Sequence, residues 1–452
     1  VAPIDNPPVT IAPVGITYTW SSPVISPINS ITGGSAQSIG QPNISQILTN
    51  NTNTPATATY TVTPYALGCS GAPFSVTVIV NPTPVIPTQS EIICSGDTFS
   101  ISPTDNHPTT IIPAGTTYTW GAPVSNPFGA ITGGSAQSSG QAAISQTLIN
   151  TTNSVATATY NVIPYSGAQG YCVGDTFNVT ITVNPVPSIP AQSDTICGGE
   201  AFVINPSNNP PTSIVPVGTT YTWSAPVINP FGAITNGSAQ LTGQPSISQV
   251  LNNTTSSPAT ATYTVTPTSG PCPGSSFTVT VLVYPTPLVP PQADTICSGE
   301  AFLVSPVNNP PGTIIPTGTT YTWSTPIINP LGSITGGSQQ LTGQPNISQA
   351  LTNVTTSVAT ASYTVTPTSG SFGNCTGEPF IITVTVNPTP VVPDQTDSIC
   401  SGETFLVQPV NAPPLTVVPP GTTYTWSTPV ISPLGSITGG SQQLTGQPTI
   451  SQ

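Results

Sequence analysis

Hydrophobic and polar residues alternate along most of the chain, and the alternation is clearest in its third hundred residues. Residues 259–266 read Ala-Thr-Ala-Thr-Tyr-Thr-Val-Thr, and residues 277–283 read Phe-Thr-Val-Thr-Val-Leu-Val. A period of two residues predicts strands with one buried and one exposed face. Shorter runs predict further strands at 191–196, 201–204, 219–224 and 247–251, and a short strand with a turn at 232–237. The pattern therefore predicts about seven strands and no helix in this stretch.

The same strand pattern returns five times along the chain, marked each time by the sequence Thr-Tyr-Thr-Trp. All five tryptophans of the chain end this motif, and the intervals between them are 100 or 103 residues. A unit of about one hundred residues has the size of an independently folded domain and is too long for a solenoid repeat. Because each tryptophan lies in an alternating strand, we expect all five to be core residues: Trp20, Trp120, Trp223, Trp323 and Trp426.

Paired prolines mark the end of each unit, in the sequence Asn-Pro-Thr-Pro or a close variant of it. Proline fixes φ and cannot donate a ladder hydrogen bond, so each pair ends a strand in a stiff connector. Seven short strands with a central tryptophan predict an immunoglobulin-like Greek-key β-sandwich. We therefore expect an all-β tandem array forming an elongated rod, with complete domains at 83–185, 186–285 and 286–388 between partial domains at 1–82 and 389–452.

Composition excludes several functions. The 452 residues contain no Lys or Arg and 13 Asp and Glu, giving a net charge of −13. Nucleic acids and anionic membrane surfaces need cationic side chains, so neither is an expected partner. His107 is the only histidine, so a histidine-dependent catalytic triad is not expected. We predict no enzyme activity, no catalytic residue, no cofactor and no metal site. Four carboxylates follow the first cysteine of a unit and are predicted to hydrogen-bond a turn rather than bind calcium: Asp97, Glu200, Glu300 and Glu403.

Eight cysteines occur at regular places, two in each complete unit. An even number without histidine partners favours disulfides over metal binding and indicates an oxidising compartment. Three pairing schemes remain open at this stage. Pairing within a unit is favoured narrowly, pairing across unit boundaries comes second, and pairing between cysteines 25 residues apart comes last. The favoured scheme joins Cys94 to Cys172, Cys197 to Cys272, and Cys297 to Cys375.

The motifs of one unit together resemble a known family. They read Ile-Cys-Ser-Gly-Glu, Gly-Thr-Thr-Tyr-Thr-Trp, Ile-Thr-Gly-Gly-Ser, Ile-Ser-Gln and Phe-Ile-Ile-Thr-Val-Thr-Val-Asn-Pro, between residues 296 and 388. This sequence resembles the PKD-like, immunoglobulin-like repeats of giant surface adhesins of Bacteroidota, of which SprB-type gliding adhesins are examples. The resemblance implies type IX secretion, a place on the cell surface, and attachment to surfaces or polysaccharides. It also implies O-glycosylation at the pattern Asp-Ser/Thr-aliphatic, with candidates Thr195, Thr295 and Ser398.

Three functions are compatible with these features. The first is the extracellular stalk of a long adhesin that gives reach and transmits force, with gliding motility as its expected setting. The others are a surface filament or sheath formed by lateral self-association, and a multivalent array that binds polysaccharide. For the stalk, we expect surface or polysaccharide ligands to contact regions outside these 452 residues. We also expect contact with anchoring or motility machinery at the cell surface.

Overall fold

The computed structural model describes residues 3–7, 9–167, 170–370 and 372–452, and in these ranges it contains strands, turns and loops but no helix. These ranges accordingly hold no helix that is long and apolar enough to cross a membrane. The predicted all-β class is confirmed.

The strands of the first two repeats follow the repeated sequence pattern. In the first repeat they are β1 Thr17–Trp20, β2 Val24–Ser26, β3 Ile31–Thr32, β4 Gln37–Gln41, β5 Thr49–Asn50, β6 Ala56–Ala66, β7 Cys69–Ser70 and β8 Phe74–Val80. In the second they are β9 Gln89–Cys94, β10 Thr98–Ile101, β11 Thr117–Trp120, β12 Val124–Asn126, β13 Ile131–Thr132, β14 Gln137–Gln141, β15 Ile144–Thr147, β16 Ile149–Asn150, β17 Ala156–Tyr165 and β18 Phe177–Asn184.

The remaining repeats continue the series. The third contains β19 Gln192–Cys197, β20 Ala201–Ile204, β21 Thr220–Trp223, β22 Val227–Asn229, β23 Ile234–Thr235, β24 Gln240–Gln244, β25 Ile247–Val250, β26 Asn252–Asn253, β27 Ala259–Ser269, β28 Cys272–Pro273 and β29 Phe277–Tyr284. The fourth contains β30 Gln292–Cys297, β31 Ala301–Val304, β32 Thr320–Trp323, β33 Ile327–Asn329, β34 Ile334–Thr335, β35 Gln340–Gln344, β36 Ile347–Ala350, β37 Thr352–Asn353, β38 Ala359–Thr368 and β39 Phe380–Asn387. The fifth contains β40 Leu406–Val407, β41 Tyr424–Trp426, β42 Gln443–Gln447 and β43 Ile450–Ser451.

Every strand predicted for the third repeat is present. The strands that the pattern missed are β22, β24, β26 and β28, which are two to five residues long. Two- and three-residue ladders are too short to carry a period-two signal, and β24 is mostly exposed, with the sequence Gln-Leu-Thr-Gly-Gln. Hydrophobic alternation reports burial on one face, so it does not reveal strands without a buried face.

Tertiary contacts group the chain into two compact units. The first is Val1–Pro190 with Pro206–Tyr221 and Thr266–Ser276, and the second is Ala191–Asn205 with Thr222–Val265 and Phe277–Gln452. The second unit contains the whole fourth repeat, whose main sheet has the order β30-β39-β38-β32-β35. In it β30 is parallel to β39, whereas the other neighbours are antiparallel. Two short pairs, β31 with β36 and β34 with β37, contribute the other face of the sandwich.

The core of the fourth repeat lies between these strands. Phe302 and Ile347 from the short pairs, and Tyr363 from the main sheet, are 0% exposed and belong to one hydrophobic cluster. The rings of Phe302 and Tyr363 lie 5.4 Å apart, centroid to centroid. Trp323 joins the same cluster at 5% exposure. Separate clusters of the same kind lie within residues 86–183 and 18–80 of the first unit. The exact domain boundaries stay a prediction.

The tryptophans are core residues where the repeat is complete. Trp20, Trp120, Trp223 and Trp323 are 5–6% exposed, while Trp426, in the shorter fifth repeat, is half-buried. The interpretation of this slot as core is therefore confirmed in the first four repeats.

Buried tyrosines predict a loss of stability at alkaline pH. Burial raises the pKa of Tyr363 from 10.0 to about 12, and its hydroxyl donates to Gln349 Oε1 at 2.9 Å. Because the folded pKa is higher than the unfolded one, this contribution is complete below pH 10 and is lost as the pH rises through about 12. We expect the unfolding temperature to fall between pH 10 and pH 12, with part of the tyrosinate absorbance appearing only on unfolding.

The Tyr363→Phe variant provides the control, because phenylalanine keeps the ring and removes the ionising group. Its unfolding temperature should fall less steeply over the same pH range. Full tyrosine ionisation near pH 10 in a chain that remains folded would contradict the expectation.

Candidate functional site

The linker between the third and fourth repeats is attached on both sides by hydrogen bonds. The linker from the third to the fourth repeat begins at Tyr284 with the sequence Tyr-Pro-Thr-Pro. The hydroxyl of Thr286 donates to the carbonyl oxygen of Gly198 at 2.7 Å, which ties the linker to the third repeat. Leu288 and Ile314 exchange backbone hydrogen bonds in the fourth repeat, at 3.0 and 2.8 Å. The linker is thus a structured part of the junction.

In the second, third and fourth repeats, the first cysteine is the last residue of the first strand. In the third repeat β19 runs parallel to β29, and Cys197 is opposite Tyr284, the last residue of β29. The backbone N–H of Cys197 donates to Glu200 Oε2 at 3.0 Å. Equivalent bonds are made to Asp97, Glu300 and Glu403, at 3.2, 2.9 and 3.0 Å. These carboxylates therefore close the turn after the strand, as predicted, and the described residues include no cluster of three or more metal-binding side chains.

The second cysteine lies in the loop before the last strand, and its position is fixed by two contacts. In the fourth repeat the N–H of Cys375 donates to Ser369 Oγ at 2.8 Å, and Cys375 is 2% exposed. Gly377 packs so closely on the linker that a Cβ there would collide with the carbonyl oxygen of Pro287. Only glycine fits at this approach. The loop is therefore held against the linker that enters its own repeat.

Two disulfides cross the junctions between repeats. Cys94 of the second repeat bonds to Cys272 of the third, and Cys197 of the third bonds to Cys375 of the fourth. The Cα atoms are 5.7 and 5.6 Å apart, and both bonds span 178 residues of sequence. Cys272 and Cys375 are 0% and 2% exposed, whereas Cys94 and Cys197 are half-buried, so one end of each bond is shielded.

The within-repeat pairing that we favoured from sequence is wrong. It joined Cys94 to Cys172, Cys197 to Cys272, and Cys297 to Cys375. The first strand is parallel to the last, so the first cysteine lies at the far end of the repeat, while the second precedes the last strand at the near end. That strand has 8 residues, or about 26 Å at ~3.3 Å per residue, whereas disulfide Cα atoms lie about 6 Å apart. The cross-junction alternative, ranked second, is the observed one.

Four cysteines are free: Cys69, Cys172, Cys297 and Cys400. They occupy the same two positions as the paired cysteines. Local hydrogen bonds of the paired cysteines recur at two of them, since Cys172 N donates to Ser166 Oγ at 2.8 Å and Cys297 N donates to Glu300 Oε2. Both observed bonds join cysteines 178 residues apart. Among the 452 residues, no cysteine lies 178 residues before or after any of the four free ones.

A buried asparagine in each of the first four repeats escaped the sequence analysis. Asn253 is 1% exposed, and its Nδ2 donates to the carbonyl oxygens of Ser257 and Val283 at 2.8 and 2.9 Å. Its Oδ1 accepts from the N–H and the hydroxyl of Thr255 at 2.9 and 2.8 Å. The available signal was an Asn-x-Thr triplet at the same place in each of these four repeats: Asn50, Asn150, Asn253 and Asn353. The side chain joins a loop to the end of the last strand.

The O-glycosylation candidates are accessible. Thr195, Thr295 and Ser398 are exposed, and the N–H of each donates to Oδ1 of the preceding aspartate at 2.8 Å. Thr195 and Thr295 lie on β19 and β30, which are the edge strands of their sheets. An exposed edge leaves room for a glycan, so modification stays a prediction at all three positions.

We expect the chain from its native source to carry glycan at these positions. Chemical deglycosylation should lower its intact mass, and peptide mapping should place the modification on Thr195, Thr295 and Ser398. The segment Ser90-Glu91-Ile92 occupies the same place in the second repeat without the pattern, so its peptide should be unmodified. An intact mass equal to that of the bare polypeptide would end the idea.

The first repeat has an open groove of about 710 Å³ on the sheet formed by β1, β4 and β6. It is lined by ten residues, none of them charged, and they include the hydroxyls of Thr17, Thr61 and Thr63 and the amide of Gln37. The ring of Tyr65, 38% exposed, borders it. Hydroxyl, amide and aromatic groups without charge are suited to a neutral, hydroxyl-rich ligand.

His107 belongs to no such site. Its Nδ1 lies 3.1 Å from Asp105 Oδ2, and its side chain is 53% exposed. It is a surface residue.

Each repeat also exposes one large apolar side chain at the same turn. The exposed fractions are 84–100%, at Ile28, Phe128, Phe231, Leu331 and Leu434.

Comparison with known proteins gives one family. The description "PKD-like domain" matches residues 5–84, 91–187, 194–287 and 294–390. No curated protein matches the chain.

Several solved structures of multidomain proteins are similar. The human desmocollin-1 ectodomain is 12% identical, with 88% of this chain and 80% of that chain covered and a TM-score of 0.23. Drosophila N-cadherin EC1-4 is 12% identical, with 82% and 92% covered and a TM-score of 0.19. Three N-terminal domains of the Hoc protein of bacteriophage RB49 are 12% identical, with 66% and 96% covered and a TM-score of 0.27. Such TM-scores carry no argument about function.

Proposed function

Because the chain belongs to the PKD-like domain family over most of its length, we propose that it is the extracellular repetitive stalk of a very long surface adhesin. In this role the repeats give reach between a cell and a distant ligand and transmit the force between them. We propose surface attachment and gliding motility of the SprB type, after type IX secretion, as its setting. Ligands and anchoring machinery would contact other parts of the protein.

The observation that carries this proposal is the covalent connection between consecutive repeats. The Cys94–Cys272 and Cys197–Cys375 bonds cross two successive junctions at equivalent positions. A binding module needs only its own fold, whereas a bond between neighbours matters when the junction itself bears a load. Disulfides also persist in oxidising compartments, which indicates an extracellular location.

Composition supports the same role. A chain without Lys or Arg offers no peptide bond to trypsin-like proteases, which favours survival outside the cell. Its negative charge of −13 is carried by only 13 side chains, so charged groups on its surface are sparse. These properties fit a long passive element better than a catalytic domain.

Tracking of the repeats on live cells of the source organism tests the proposal. A fluorescent antibody raised against the chain should label the outside of intact cells, and the label should travel along the cell body of a gliding cell. Static surface label would limit the function to attachment. Label that appears only after permeabilisation would overturn the extracellular stalk.

The groove in the first repeat favours a second candidate, the binding of neutral polysaccharide. Its uncharged lining and the ring of Tyr65 are the specific observations behind it. Calorimetric titration with cellohexaose should then give a heat of binding, and the Tyr65→Ala variant should lose it. The control is Tyr171→Ala, which removes a ring that is 73% exposed but lies outside the groove, and this variant should keep the heat of binding. Polygalacturonate serves as the acidic comparison. The absence of a heat of binding with cellohexaose would remove this candidate.

A further inference from the structure

The two disulfides close loops that overlap along the sequence. The bonded cysteines occur in the order Cys94, Cys197, Cys272 and Cys375, and the first bonds to the third and the second to the fourth. Neither loop therefore lies inside the other, and residues 197–272 belong to both. Bonds within single repeats would give separate loops.

The bonds reduce this part of the chain to two covalent nodes, one at each disulfide. Three stretches of backbone connect the nodes in parallel: residues 94–197, 197–272 and 272–375, which are 103, 75 and 103 residues long. When the chain is pulled from both ends, the shortest stretch becomes taut first. The distance between the nodes is therefore limited by the 75 residues of 197–272, whatever happens to the other two.

We infer that the cross-junction disulfides make the repeats an extension-limited tether, which keeps most of its length in reserve even when the repeats unfold. Without the bonds, unfolding between Cys94 and Cys375 releases 281 residues (375 minus 94), or roughly 960 Å at ~3.4 Å per residue. With both bonds the limit is 75 residues, or roughly 260 Å. That the chain is under tension in the cell rests on the proposed stalk function. The limit on its extension follows from the disulfide pairing alone.

The same connectivity preserves the chain after backbone cleavage. A single cut at any peptide bond between Cys94 and Cys375 leaves at least two of the three stretches intact, so the two ends of the protein stay joined. A linear array of separate domains would part at the first cut in a linker. Protection against cleavage and limited extension are thus two results of one arrangement.

Chemical cleavage at a single site tests the connectivity. Asn236-Gly237 is the only Asn-Gly pair in the chain, and hydroxylamine cleaves such bonds. With free thiols alkylated first, the cleaved chain should migrate as one species without reductant and as two fragments after reduction. Cys197→Ser should still give one species, because Cys94–Cys272 spans the cut, and the double variant Cys94→Ser/Cys197→Ser should give two. Separation of the Cys197→Ser fragments would overturn the inference, since it is the result of within-repeat pairing.

Single-molecule pulling of the whole chain by its ends tests the limit on length. Full unfolding should extend the oxidised chain by roughly 700 Å less than the reduced chain, from 206 withheld residues (281 minus 75) at ~3.4 Å each. Cys197→Ser should regain only about 95 Å of this, because the remaining bond still withholds 178 residues at ~3.4 Å each. Cys297→Ser, at a free cysteine, should change nothing.

Equal extended lengths of the oxidised and reduced chains after full unfolding would overturn the inference of a tether. Equal gains in extended length from the loss of each bond would also overturn it. Neither result depends on where the protein resides in the cell, so the stalk proposal would still be decided by the labelling of cells. Conversely, an intracellular label would remove the stalk and leave the measured limit on extension in place.

Discussion

Loss of the Cys94–Cys272 bond should lower the free energy of unfolding of the joined repeats by about 2–5 kcal/mol. The bond closes a loop of 178 residues, and a long loop has much conformational freedom in the unfolded chain that the bond removes. The Cys94→Ser/Cys272→Ser variant should therefore unfold at a lower denaturant concentration. The measurement is hydrogen exchange of peptides from the second and third repeats, which reports local stability.

Cys297→Ser is the matched control for this variant. Cys297 holds the position of Cys94 in the fourth repeat, has the same turn and is free. Its replacement should leave exchange unchanged, to within about 0.5 kcal/mol. Equal protection in the double variant and the parent chain would show that the junction is stable without its bond.

Replacement of Asn253 by leucine should destabilise the third repeat by about 3 kcal/mol, because buried polar groups lose their partners. Leucine has nearly the same shape but no polar atom, so the carbonyl oxygens of Ser257 and Val283 and the N–H of Thr255 lose their hydrogen bonds. Val283 is 0% exposed, so its carbonyl oxygen has little access to water. The loop after the asparagine should exchange its amide hydrogens faster than before.

The neighbouring Asn252 provides a control with the same chemical change. Its side chain is exposed on the opposite face of the two-residue strand β26. Asn252→Leu should alter stability by no more than about 0.5 kcal/mol. Similar losses in both variants would indicate that the hydrogen bonds of Asn253 have no special role.

The sequence predicted the features that depend on neighbouring residues. Alternation along 259–266 placed the long strand β27, because burial of every second side chain leaves a signal in the sequence itself. The same alternation placed Trp223 in the core. The carboxylate of Glu200 closes a turn only three residues long, and local spacing was sufficient to predict it.

The cysteine partners could not be predicted in this way. Cysteines recur at the same two positions along the repeating chain, so the sequence offers equivalent partners in the same repeat and in the next one. The choice between Cys172 and Cys272 as the partner of Cys94 depends on which end of the sandwich each cysteine occupies. That is decided by the parallel pairing of the first and last strands, a contact between residues nearly one hundred positions apart.

The sequence by itself thus determined an all-β array of five repeats, the strands that have a buried face, and the tryptophan core of the first four repeats, because period-two burial and repeated motifs are local properties. Tertiary structure alone decided that Cys94 and Cys197 bond into the following repeat and that Asn253 is buried at the end of a strand. These contacts join segments that are distant in sequence, and only the folded chain brings them within bonding distance.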